Sequence, residues 1–125
     1  MQTVLIIKDD EVLADLFRHV LEEDGLYKVM LARNGKEALQ AIKKQKPAIV
    51  ITDVYLPGKC GADVLRDIKR DPELAHVPAI IFTAEKESEV VANTLEGNSD
   101  LHMPKPINLE RLKYHVRELV ATVEA

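Results

Sequence analysis

Asp53 closes the apolar run Ala48-Ile49-Val50-Ile51-Thr52 and is followed at once by Val54-Tyr55-Leu56-Pro57-Gly58. A carboxylate at the mouth of a buried strand is costly to desolvate, so chemistry is the natural reason for it. Three other polar groups end or follow similar runs. Asp9-Asp10 comes after Val4-Leu5-Ile6-Ile7, Thr83 after Ile80-Ile81-Phe82, and Lys105 after Leu101-His102-Met103-Pro104. In one parallel sheet the carboxyl ends of the strands share an edge, and open α/β folds bind their ligands there. Acids, a hydroxyl and an amine at that edge suit a metal-assisted phosphate site.

The elements needed to position these groups are legible in the pattern. Apolar runs alternate with helix-like stretches five times, as in repeated βα units around a parallel sheet. The runs predict strands near 3–8, 27–32, 48–53, 78–83 and 100–104. Runs 48–52 and 79–82 are apolar at almost every position and are expected to be central strands covered on both faces. Pro104 lacks the donor a central strand needs, which puts the last strand at the sheet edge.

Between the first two strands, Leu13, Leu16, Phe17, Val20 and Leu21 recur at helical spacing, with Asp10 and Glu11 in the first turn and Gly25 closing the helix. A second helix starts after Asn34-Gly35 and buries Ala38, Ala41 and Ile42. A third carries Val64, Leu65 and Ile68 and stops at Asp71-Pro72. A fourth is expected from about Lys86 to Leu95 on Val90, Val91 and Leu95. The last repeats Leu109, Leu112, Val116, Leu119 and Val123.

The bulk numbers narrow the function. A chain of 125 residues that is 46% hydrophobic is expected to form one domain, residues 1–125, with no output domain following. With 17 basic against 21 acidic residues and a net charge of -4, direct nucleic-acid binding is not expected. The N-terminus offers neither a signal peptide nor a membrane span, so the expectation is a cytoplasmic protein. Cys60 is the single cysteine, which excludes an internal disulfide and offers no zinc cluster; it reads as a loop bystander.

Order, spacing and element ends together resemble one family. The acidic cluster Asp9-Asp10-Glu11, the segment Thr52-Asp53-Val54-Tyr55-Leu56-Pro57-Gly58, Thr83-Ala84 and Lys105-Pro106 resemble the receiver domain of two-component response regulators, over Thr3 to about Val123. Asp9 and Asp53 are 44 positions apart, Asp53 and Thr83 are 30, and Thr83 and Lys105 are 22, as expected of the family. The resemblance is to single-domain regulators of the chemotaxis type. It implies a doubly wound (βα)5, flavodoxin-like three-layer sandwich with a five-stranded parallel sheet in the order 2-1-3-4-5.

The resemblance also assigns roles. Asp53 would attack a phosphohistidine on a histidine kinase or phosphotransfer protein and form an aspartyl phosphate. Mg²⁺, or Mn²⁺, would be held by Asp9, Asp53 and the backbone carbonyl of Tyr55. Lys105 would pair with one phosphoryl oxygen and Thr83 would donate its hydroxyl to another. The switched face, made by the fourth helix, fifth strand and fifth helix, would meet a downstream target, the domain being a monomer or a phosphorylation-dependent dimer. No enzymatic activity is implied beyond self-phosphorylation and self-dephosphorylation on Asp53.

Two positions depart from the pattern. His102 stands where the family usually has a switch Tyr or Phe; it can pack inward beneath Thr83 or swing outward, and it is titratable. Lys8 stands where the first of two acids is usual. It either points away, leaving Asp9 or even Asp10 to serve the metal, or takes part of the metal's place and pairs with Asp53. These departures motivate an alternative, a pseudoreceiver that binds its partner without phosphorylation. A small phosphatase is disfavoured because the position two residues after Asp53, where such enzymes need an acid, is Tyr55. A flavin protein is disfavoured because the loop Lys8-Asp9-Asp10-Glu11 is acidic and lacks phosphate-cradling donors. Asn98 replaces a usual glycine before the last strand, which its tolerance of left-handed backbone explains.

Overall fold

The computed structural model describes residues 1–84 and 101–124, the last two by their backbone. The helix expected over 86–95, with Val90, Val91 and Leu95, and the turn at Asn98 lie outside the described residues.

Five strands form one parallel sheet: β1 (Gln2–Ile7), β2 (Tyr27–Ala32), β3 (Ile49–Asp53), β6 (Ala79–Thr83) and β7 (Leu101–Pro104). Their order is β2-β1-β3-β6-β7, the doubly wound arrangement expected, with the strand that contains Pro104 at an edge. A two-residue hairpin, β4 (Tyr55–Leu56) with β5 (Lys59–Cys60), interrupts the chain just after β3 and was not anticipated. It turns at Pro57-Gly58, where Gly58 has φ 79°.

The helices among the described residues are α1 (Glu11–Glu22), α2 (Gly35–Lys44), α3 (Gly61–Lys69) and α4 (Leu109–Glu124). Asp10 caps α1 by accepting the Val12 and Leu13 N–H groups, and Asn34 caps α2 by accepting that of Glu37. The Glu37 side chain in turn accepts the N–H of Arg33, the residue before the cap.

The strand pleat distributes side chains between two layers. Leu5, Ile7, Val50 and Ile81 face one layer with Val64, Leu65 and Ile68 of α3; Val4, Ile6, Ile49, Ile51, Ile80 and Phe82 face the other with Phe17, Leu21, Leu112 and Val116. Strands that feed both layers must be apolar at every position, which explains the unbroken runs. β1 belongs with β3 and β6 in this respect, although only the latter two were read as central.

The buried stripe of α1 is narrower than its apolar periodicity predicts. Ala14, Phe17, Val20 and Leu21 are the buried residues of α1, while Leu13 and Leu16 are partly exposed. They line a largely apolar hollow of about 260 Å³ with Phe17, Phe82, Ile107 and Leu109, open beside Lys8 and Lys105.

Candidate functional site

The carboxyl ends of β1, β3, β6 and β7 do converge, and the residue that reaches Asp53 from β1 is Lys8. The Lys8 N–H donates to Ala32 O at 2.8 Å, extending the β1–β2 ladder one residue past Ile7. On the other side Ile7 pairs with Thr52, so the next step along both strands puts Lys8 beside Asp53. The pleat carries Lys8 to the same face as Val4 and Ile6, and Asp53 to that of Ile49 and Ile51, which is one common layer.

There the two side chains form a buried ion pair. Lys8 Nζ donates to Asp53 Oδ2 at 2.6 Å, with the side chains 7% and 6% exposed. The ammonium also lies 5.9 Å from the centroid of Phe17, whose ring stacks at a tilt on Phe82. The aromatic pair therefore walls the lysine on the core side.

The other carboxylate oxygen is handled differently. Lys105 Nζ approaches Asp53 Oδ1 to 3.1 Å, yet Oδ1 accepts no hydrogen bond. The two observations agree if the contact is ionic and off the lone-pair direction, and the exposure of the Lys105 side chain, 38%, fits a loosely held group. Lys105 is anchored instead through its backbone, whose N–H donates to Thr83 O at 2.8 Å.

Thr83 is buried at the end of β6, and no hydrogen bond joins its hydroxyl to Asp53. Asp9 is exposed, and Asp10 is occupied in capping α1. Tyr55 lies in the exposed part of the hairpin, paired with Cys60. His102 is exposed on β7, opposite Ile81, so of its two expected positions the structure shows the outward one.

These residues do not fit a divalent ion in this arrangement. A hard cation needs several convergent oxygens. Asp53 Oδ2 is already engaged by an ammonium, Asp9 faces solvent, and no group of three or more His, Cys, Asp or Glu side chains is placed to hold a metal among the described residues.

Two positioning residues escaped the sequence reading. A Cβ at Gly61 would lie 1.8 Å from the Asp53 carbonyl oxygen and 2.9 Å from Thr52 Oγ1. Gly61 N donates to Val54 O at 2.5 Å, and Thr52 Oγ1 donates to Asp53 O at 2.9 Å. The start of α3 is thus packed directly on the backbone of Asp53, and only glycine permits that approach. The signal available was Gly61 in the first helical position, where a glycine lowers helix propensity and so needs a packing reason.

A parallel doubly wound sheet with an aspartate, a threonine and a lysine at or just past three strand ends is the arrangement that the sequence resemblance implies. The response regulator receiver domain profile matches residues 4–117, and the chain belongs to that family. The polar-differentiation response regulator DivK of Brucella anthropi is 33% identical over 110 residues, covering 88% of this chain and 89% of that one. Histidine kinase P4 of Formosa agariphila is 27% identical over 118 residues, 94% of this chain but 8% of that protein.

Solved structures agree. The receiver domain of a signal transduction histidine kinase from Syntrophus aciditrophicus superposes with a TM-score of 0.89 at 32% identity, covering 98% of this chain and 92% of that one. A Francisella response regulator receiver domain gives 0.85 at 27%, covering 98% and 99%. The protein is therefore a receiver domain of two-component signalling, a module that acts with histidine kinases and downstream targets. No helix among the described residues is long and apolar enough to cross a membrane.

Proposed function

We propose that this receiver accepts a phosphoryl group on Asp53 from the phosphohistidine of a histidine kinase or phosphotransfer protein, and that the product switches a protein-binding face. The observation that carries the reading is the asymmetric environment of Asp53. One oxygen is fixed by an ammonium, while Oδ1, buried and without a hydrogen bond, keeps its lone pairs for phosphorus.

In the transfer Oδ1 attacks phosphorus, the P–N bond breaks, and the imidazole nitrogen leaves with the electron pair. Lys105, 3.1 Å from Oδ1, is placed to follow a phosphoryl oxygen as a point charge. Thr83, buried at the end of β6, supplies the hydroxyl for a second oxygen. Because Lys105 N–H holds Thr83 O, movement of either residue reaches β7 and His102 on it. The face that reads the change includes β7 and α4.

Intact mass after incubation with acetyl phosphate tests the assignment: one phosphoryl increment is expected, mapping to Asp53 and absent from Asp53→Asn.

The Lys8–Asp53 pair supports a second reading, in which the carboxylate is permanently neutralised and the domain binds its partner without phosphate. Absence of any adduct from acetyl phosphate and from a phosphorylated phosphotransfer protein, together with equal partner affinity of wild type and Asp53→Asn, would establish that reading instead.

A further inference from the structure

We propose that Lys8 stands in for the divalent cation, so that phosphorylation of Asp53 in this receiver proceeds without metal. The inference rests on Asp53 being the acceptor and adds what neutralises the site during transfer.

A carboxylate and a phosphoryl group repel each other, and a cation must lie between them for phosphorus to approach. Lys8 Nζ sits on Asp53 Oδ2 at 2.6 Å and leaves Oδ1 for bond formation. Three features built into the fold hold it there: the Lys8 N–H to Ala32 O bond, the β1–β3 register, and the Phe17 ring 5.9 Å from the ammonium. The pair is buried, so it is weakly screened and its geometry is fixed before the donor arrives.

The charges suit an anionic donor. Asp53 with Lys105 alone sums to zero, and Lys8 brings the pocket to one net positive charge. Asp9, exposed to solvent, does not offset it. In the step with acetyl phosphate, the bond from Oδ1 to phosphorus forms, the bond from phosphorus to the acetate oxygen breaks, and acetate leaves with the electron pair. Lys8 keeps its protons and bridges Oδ2 and a phosphoryl oxygen.

The test incubates the full chain with acetyl phosphate in EDTA and, separately, in excess Mg²⁺, beside an ordinary receiver as control, and follows the adduct by intact mass. Wild type is expected to label in both, at rates within about twofold, while Lys8→Met in EDTA slows about a hundredfold. Lys8→Asp is expected to label only with Mg²⁺. Calorimetric titration of Mg²⁺ is expected to give no binding heat for wild type and a saturable signal for Lys8→Asp, a readout independent of turnover. Labelling of wild type in Mg²⁺ but not in EDTA overturns the inference and leaves Asp53 as acceptor. No labelling of wild type in either buffer, when the control is labelled, overturns the acceptor reading and this inference with it. The two wild-type arms decide even if a variant fails to fold.

Discussion

Replacing Lys8 by Met keeps the unbranched stem and removes the charge, which leaves the Asp53 carboxylate buried with only the half-exposed Lys105 nearby. At 2.6 Å and an effective dielectric near 20, the attraction lost is about 6 kcal/mol before desolvation is counted. Breaking a buried pair by removing one partner typically costs about 3 to 5 kcal/mol, because the remaining charge is stranded. With a urea slope of about 1.5 kcal/mol per molar, that lowers the midpoint by roughly 2 to 3 M. Lys105→Ala should cost under about 1 kcal/mol, as its ammonium is more exposed and accepts a looser geometry. The double-mutant cycle is the decisive assay: in an Asp53→Asn background Lys8→Met should cost nothing or stabilise, since it then removes an unpaired buried cation. Equal costs of Lys8→Met in the two backgrounds would refute the argument and make Lys8 a packing residue.

Gly61→Ala should destabilise by at least about 3 kcal/mol in urea melts, since its Cβ would meet the Asp53 carbonyl oxygen at 1.8 Å and backbone cannot give way cheaply. The same variant, where folded, should label more slowly with acetyl phosphate because Asp53 is displaced. Asp67, whose hydrogen bond from Lys59 holds its carboxyl below the ordinary 3.8, adds stability that is present above that value and lost as pH falls through the lowered one. Asp67→Asn should therefore lower the urea midpoint at pH 7, with the gap closing in acid; a gap that widens in acid would contradict the sign. Phe17→Leu removes the ring stacked on Phe82 and facing Lys8, and should cost about 1 kcal/mol, read as a lowered urea midpoint.

Much of the fold was legible because few arrangements satisfy the pattern. Five apolar runs separated by amphipathic stretches require helices on both faces of a parallel sheet, and the observed strands fall within a residue or two of the expected ranges. Pro104 correctly marked an edge because the missing donor is a local property. Leu13 and Leu16 were misjudged for the opposite reason. Helical periodicity reports which residues share a stripe, not how wide a stripe the sheet covers, and these two fall at its rim. The hairpin at residues 55–60 was missed because two-residue strands are too short to show alternation.

At the site, the sequence by itself determined which residue types stand at the strand ends, since an acid, a hydroxyl or an amine that closes an apolar run needs no partner to be noticed. It also exposed Lys8 as the anomaly, while leaving open whether that side chain pointed away or toward Asp53. Only the tertiary structure decided this. The direction of Lys8 follows from the pleat, and its distance from Asp53 from the pairing of Ile7 with Thr52; a shift of one residue in that register would have sent the two charges to opposite faces. Register between residues 45 positions apart is set by the whole packed core, so the Lys8–Asp53 contact belongs to the fold and not to any local run of residues.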